Sequence, residues 1–325
     1  MRTDIETRFI RPNPNHWHPD DFDLSDAVLT AQILHITKTV CLLESRCDDY
    51  AEYLRAIFIN RGGRWDEAID RWNVEECQHG VMLRGLSEAV DGSFAFQESM
   101  HMYESLVSYH EPTGESVRGS IGAELVSRCV VEALASALYR VVSDAIEHPT
   151  NREIYSRLAQ DEARHFGMFL KMLNREAEQN GGLGMFNRLK FALLRMIQLE
   201  DSQITVASCV VAGRANDRIR LRREANHYLG QLYSCYRWKH LQYAVKMLLK
   251  TIGIRPTLLI LKPTTFVPWS GVKARYLWAR FCGSLFPPEK ISFLNILRRF
   301  VELLSNFAAS FARFCQPSRG TTTSR

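Results

Sequence analysis

From Leu24 to Gly182 the apolar residues recur every three or four positions, and β-like alternation is hard to find. A helix with one apolar stripe has to bury it against other helices, so the pattern predicts an all-α helix bundle. Glycines and prolines divide it. "LSDAVLTAQILHITKTVCLLESRCDDYAEYLRAIF" reads as one long helix closed at Gly62-Gly63, and a second runs from about Trp65 to Asp91-Gly92. A shorter one covers "FAFQESMHMYESLVSYH" before Pro112, and a fourth spans about Val117 to Glu147. Pro149 and Thr150 open a fifth that ends at Gly181-Gly182, with Thr150 and Glu153 spaced for a capping box.

The expected organisation is an extended N-terminal segment over 1–23, a bundle over 24–182, a helical region over 183–316 that completes or decorates it, and a disordered polar tail over 317–325. In the third region Pro256, Pro263, Pro268 and Pro287-Pro288 are expected to break the helices into pieces. Its segment "ISFLNILRRFVELLSNFAASFARF" has arginines opposite an apolar face, suited to peripheral contact with a membrane, to a partner, to a homodimer contact or to the bundle itself.

With 325 residues, 46% of them hydrophobic, the chain has ample material for a core. Its eight cysteines are scattered and contain no Cys-x-x-Cys pair, which disfavours a disulfide scaffold and a zinc ribbon alike and fits a reducing compartment. No run suits a secretory signal or a membrane span, so a cytoplasmic location is expected. The net charge of +5 is mild and points to no nucleic-acid partner. The basic run Arg218, Arg220, Arg222 and Arg223 offers either a solvated face or a surface that steers an acidic partner.

The chemistry is concentrated in a repeated pattern. Glu76 and His79 in "VEECQHG", and Glu162 and His165 in "DEARH", are three residues apart and so share a helix face, where a carboxylate and an imidazole can reach one cation. The same spacing occurs at Glu98 with His101 and at Glu224 with His227, so spacing alone decides nothing. What distinguishes the first two is an upstream glutamate about thirty residues earlier: Glu44 before Glu76, and Glu132 before Glu162. Both sit on apolar helical faces, where an unpaired carboxylate costs several kcal/mol. A solvated or salt-bridged surface pair is the ordinary reading of one such motif. Two motifs, each with its upstream glutamate, favour two divalent cations held by four carboxylates and two imidazoles from four helices. Oxygen-rich ligation with one nitrogen per ion suits iron, as Fe2+, or manganese.

"WNVEECQHG", with Trp72 four residues before Glu76, resembles the first motif of the soluble acyl-[acyl-carrier-protein] desaturases of the ferritin-like di-iron superfamily, and "DEARH" is similar to the second. "HWHPDDF" resembles that family's Trp-x-Pro-x-Asp-Phe segment, and the likeness covers about Trp17 to Leu173. The resemblance implies that Glu76 and Glu162 bridge two irons, that Glu44 and Glu132 each cap one, and that His79 and His165 each bind one. It also implies an electron relay through Trp17, Asp161 and His79, although Trp17 as a packing aromatic and Asp161 as a mere sequence neighbour are the plainer readings.

It further implies an oxygen-dependent oxidoreductase that takes electrons from a ferredoxin-type donor and inserts a double bond into, or otherwise oxidises, a fatty acyl chain on acyl carrier protein. "CVVEALASALYRVV" is a candidate channel lining as well as ordinary core. Two positions depart from the family: Ala135 stands where the family has a threonine thought to assist oxygen activation, and Gln78 where it has an arginine. A methyl group cannot deliver a proton, which leaves hydroxylation or N-oxygenation of another substrate as the alternative. A non-catalytic ferritin-like iron-binding protein is the third reading.

Overall fold

The computed structural model of the chain describes residues 17–59, 61, 63–107, 113–198, 203–214 and 218–281. The described residues form an all-α helix bundle. Its helices are α1 (Ala31–Glu44), α2 (Cys47–Phe58), α3 (Gly63–Val90), α4 (Phe96–Leu106), α5 (Ile121–Ala145) and α6 (Pro149–Asn180). They continue with α7 (Met185–Gln198), α8 (Ile204–Val211), α9 (Arg218–Cys235), α10 (Trp238–Thr251) and α11 (Leu258–Phe281).

The longest contact is between α5 and α6. Small buried residues, Ala133, Ser136 and Ala137, lie on this stretch of α5, and the Ser136 hydroxyl donates to the Ala159 carbonyl of α6 at 2.7 Å. α1 and α2 pack on α3, and α3 meets α6. The C-terminal helices enclose this centre, α7 and α10 against α5, and α8 and α9 against α1.

Two apolar clusters fill the bundle. One joins Ile36, Val40, Met82, Leu86, Tyr139 and Tyr155; the other joins Leu54, Ile57, Trp72, Leu125, Cys129 and Phe169. Each fully buried side chain of this size contributes about 1.5–3 kcal/mol. On α3 and α6, the residues between the two clusters include the carboxylates and histidines singled out in the sequence, while Glu132 on α5 sits at the edge of the second cluster. In the candidate channel segment Val130, Ala133 and Ala137 are buried, whereas Val131, Leu134, Ala135 and Leu138 are half-buried.

Several boundaries differ from expectation. The first long helix is two, broken at Ser45–Arg46. There the Ser45 hydroxyl turns back to the Cys41 carbonyl at 2.7 Å, and the turn presses on α3 at Gly80, whose absent Cβ would lie 3.2 Å from Ser45 Cα and N. α1 starts at Ala31 because Thr30 caps it, accepting from the Ile33 amide at 3.3 Å. The expected capping box of α6 is absent: Pro149 occupies the first turn after His148, and Glu153 pairs with Arg157 instead.

Pro263 and Pro268 lie inside α11 rather than ending it. The carbonyl released by Pro263 belongs to Leu259, a residue 89% exposed, where water can satisfy it. Nearby, Thr265 donates to the Leu261 carbonyl at 2.6 Å.

The cysteines also depart from expectation. Cys47 and Cys77 form a disulfide between α2 and α3, which only the fold brings together, whereas Cys41, Cys129, Cys209 and Cys235 take part in no disulfide among the described residues. No described helix is long and apolar enough to cross a membrane. The N-terminal residues 1–16, the amphipathic segment after Lys290, Pro287-Pro288 and the polar tail lie outside the described residues, as do the side chains of Arg218, Arg220, Arg222 and Arg223.

Candidate metal centre

All six predicted residues converge. Glu44 closes α1, Glu76 and His79 come from the middle of α3, Glu132 from α5, and Glu162 and His165 from α6. Two overlapping groups result: Glu44, Glu76, His79 and Glu162, and Glu76, Glu132, Glu162 and His165. Within each, one ligand-type atom per residue lies within 4.8 Å of all the others. Glu76 and Glu162 belong to both groups. Five of the six are buried, while Glu44, at the α1–α2 turn, is partly exposed.

Both imidazoles turn Nδ1 toward this centre. His79 Nδ1 lies 3.1 Å from Glu162 Oε1, and His165 Nδ1 lies 2.8 Å from Glu76 Oε1 and 3.8 Å from Glu132 Oε2. Those two nitrogens and Glu76 Oε1 and Glu162 Oε1 are buried and make no hydrogen bond despite this proximity. Buried polar atoms normally find partners, so four converging orphans fit a cation better than a hydrogen-bond network.

The outer nitrogens are held by carboxylates from the opposite helix. Asp161 Oδ2 accepts from Trp17 Nε1 at 2.7 Å and from His79 Nε2 at 3.3 Å, and the Trp17 and His79 rings lie nearly parallel, 7° apart. Glu75 Oε2 accepts from His165 Nε2 at 2.8 Å. Arg164 bridges the pair, reaching Asp161 at 2.6 Å and Glu75 at 3.1 Å. A carboxylate can only accept, so each Nε2 carries a proton, and Nδ1 is the atom a cation would take once it displaces the proton there.

Electrostatics agree. Burial, reinforced by Glu76 and Glu162, pushes the carboxyls of Glu44 and Glu132 well above the usual range. Burial also opposes ionisation of Glu162, but the adjacent His165 and His79 imidazoles outweigh it and hold that carboxyl below its ordinary value. Burial disfavours both imidazolium forms, yet Asp161 and Glu162 around His79, and Glu162, Glu75 and Glu76 around His165, raise both well above 6.5. The centre thus retains protons that cations would displace.

Glu75 and Tyr139 escaped the sequence reading. Glu75 precedes Glu76 as Asp161 precedes Glu162, and that parallel was the available signal. Tyr139, two turns after Glu132 on α5, donates its hydroxyl proton to Glu44; a lone tyrosine at that spacing carries no signature. Trp72 packs edge-on against Phe169. Gln78 is fully buried with neither amide atom hydrogen-bonded, and Ala135 is half-buried.

The decoy motifs separate cleanly. Glu98 and His101 are both exposed, while Glu224 pairs with Arg214 and His227 is exposed. A cavity of about 290 Å³ lined by Arg61, Ser120, Glu176 and Gly181 touches none of the six residues.

Fold and site together define a helix bundle whose buried glutamate–histidine cluster could hold metal ions. Among known proteins the chain is similar to the putative acyl-[acyl-carrier-protein] desaturase DesA1 of Mycobacterium tuberculosis, in two strains, at 26% identity over 156 residues. The match covers 46% of this chain and 44% of DesA1, so the chain spans less than half the length of the curated relatives it matches. No family model matches the chain, and no solved structure does.

Proposed function

We propose that the cluster holds two iron ions and that the protein is an oxygen-dependent oxidoreductase of the acyl-carrier-protein desaturase type. The observation that carries this reading is the sharing of Glu76 and Glu162 between two four-residue ligand sets. In it, Glu76 and Glu162 would be shared by the two ions, with Glu44 and His79 holding one and Glu132 and His165 holding the other; manganese meets the same donor criteria. Bound iron would supply the activation of dioxygen that side chains cannot perform.

The chain's own residues do the rest. Asp161 and Glu75 fix the two imidazoles, and Arg164 keeps both carboxylates in place. The apolar clusters on either side exclude water from the reacting centre. Tyr139 holds a proton at its hydroxyl beside Glu44, one helical turn beyond Ala135, and takes the proton-supplying part that Ala135 cannot play. The chain Trp17–Asp161–His79 offers the route by which a ferredoxin-type donor delivers electrons. The likeness to DesA1 and the desaturase motifs support a fatty acyl chain on acyl carrier protein as substrate. Ala135 favours, as a second reading, hydroxylation or N-oxygenation of another substrate.

Incubation of the iron-loaded protein with acyl carrier protein thioesters, reduced ferredoxin and oxygen tests this. A new double bond in the acyl chain is expected. Oxygen consumption with unchanged acyl chains would move the second reading ahead.

A further inference from the structure

A second charged cluster lies at the start of α5. Glu124, fully buried, is the carboxylate that pairs with both Arg118 and Arg128 among the described residues. Arg118 Nε lies 3.5 Å from Glu124 Oε2, and Arg128 Nε lies 3.6 Å from Oε1. Glu124 Oε2 is already engaged, accepting from Tyr53 at 3.0 Å and Ser116 at 2.9 Å. Arg128 stacks over the Tyr50 ring, and Arg118 also reaches Gln198 at 2.8 Å.

Arg195, on α7, is only 6% exposed and makes no hydrogen bond or ion pair with the described residues. The Nε of all three arginines and Glu124 Oε1 are buried without a hydrogen-bond partner. Among the described residues, three guanidinium groups against one carboxylate leave two positive charges in excess. Burial, then Arg128 and Arg118, draw Arg195 down only to about 9, so neutralisation near pH 7 is not the remedy. Excess buried charge of this kind calls for a counter-ion, and the planar guanidinium fork matches the paired oxygens of a carboxylate or phosphate.

We propose that Arg118, Arg128 and Arg195 form a binding site for an oxyanion, the carboxylate or phosphate group of a small molecule. Arg128 is one turn before Glu132 on α5, about 6 Å along the axis. On the di-metal reading, an anionic head group seated there would belong to a molecule whose far end approaches the metals.

The test uses the full-length, metal-free protein. Thermal unfolding and calorimetric titration are run with inorganic phosphate and with decanoate, each against chloride at matched ionic strength, for the wild type and Arg195→Met. The expected result is a rise in Tm with one or both oxyanions and at least a tenfold loss of affinity in Arg195→Met. In chloride that variant should unfold at the same or a higher temperature, because an uncompensated charge is gone. A phosphate-only response would indicate a phosphate group, and a decanoate-only response a carboxylate. The proposal is overturned if neither oxyanion binds more tightly than chloride, or if Arg195→Met binds as the wild type does. Should Arg195→Met not fold, titration of Arg118→Gln takes its place with the same criteria. Iron counted separately in each protein shows whether the metal reading fails independently.

Discussion

Glu75 on α3 accepts the Nε2 proton of His165 on α6 at 2.8 Å, while Asp161 on α6 does the same for His79 on α3 at 3.3 Å. Each acidic residue preceding a predicted ligand glutamate therefore orients the histidine of the other motif. Burial of Glu75 is outweighed by its bonds to His165 and Arg164, which hold its carboxyl at about 2. Glu75→Gln can present an N–H to His165 and favour the wrong tautomer, so it should weaken metal binding about 10–100-fold with little effect on folding. Competition with a calibrated ferrous chelator measures this, and unchanged affinity would deny Glu75 its orienting part.

Gly80 should not tolerate a side chain. A Cβ there meets Ser45 backbone atoms at 3.2 Å, whereas one at Gly85 meets only the Leu24 side chain at 3.6 Å. Gly80→Ala is expected to cost about 1–3 kcal/mol and to displace Glu44, next to Ser45. Gly85→Ala should be neutral or stabilise by up to about 1 kcal/mol, through helix propensity. Denaturant unfolding of both variants makes the comparison.

The Cys47–Cys77 disulfide closes a loop of 30 residues. Reduction should lower stability by about 3–4 kcal/mol and expose two additional thiols to a titrant after unfolding. A double Cys47→Ser, Cys77→Ser variant should match the reduced wild type. Equal thiol counts before and after reduction would show that the bond does not form.

Asp91, at the end of α3, pairs with Lys38 of α1 and accepts from Ser93, and these bonds hold its carboxyl at about 2, below its ordinary 3.8. A depressed folded-state value means that the contribution is complete above the unfolded value and is lost as pH falls through the folded one. Asp91→Asn should therefore cost about 1 kcal/mol at pH 7, as a partly exposed pair does, and the gap from wild type should close between pH 5 and pH 2. Unfolding curves across that range test the sign.

The sequence disclosed what depends on local spacing. Glu76–His79 and Glu162–His165 were legible because three residues bring two side chains to one helix face, and α3, α4 and α6 because glycine and proline bound them. What tertiary contact decides was not legible. The break after Glu44 exists because Ser45 meets Gly80, the arginine cluster draws on three separate segments, and Cys47 and Cys77 meet only once α2 lies on α3. Pro263 misled because the carbonyl it releases, on Leu259, is exposed where water can replace the lost bond.

Anaerobic titration with ferrous iron, followed by desalting and metal analysis, tests the central claim most directly. The wild-type chain should retain two irons, and Glu162→Ala, lacking a residue common to both ligand sets, should retain fewer than one. A wild-type chain that retains none, or a Glu162→Ala variant that still holds two, would contradict the account.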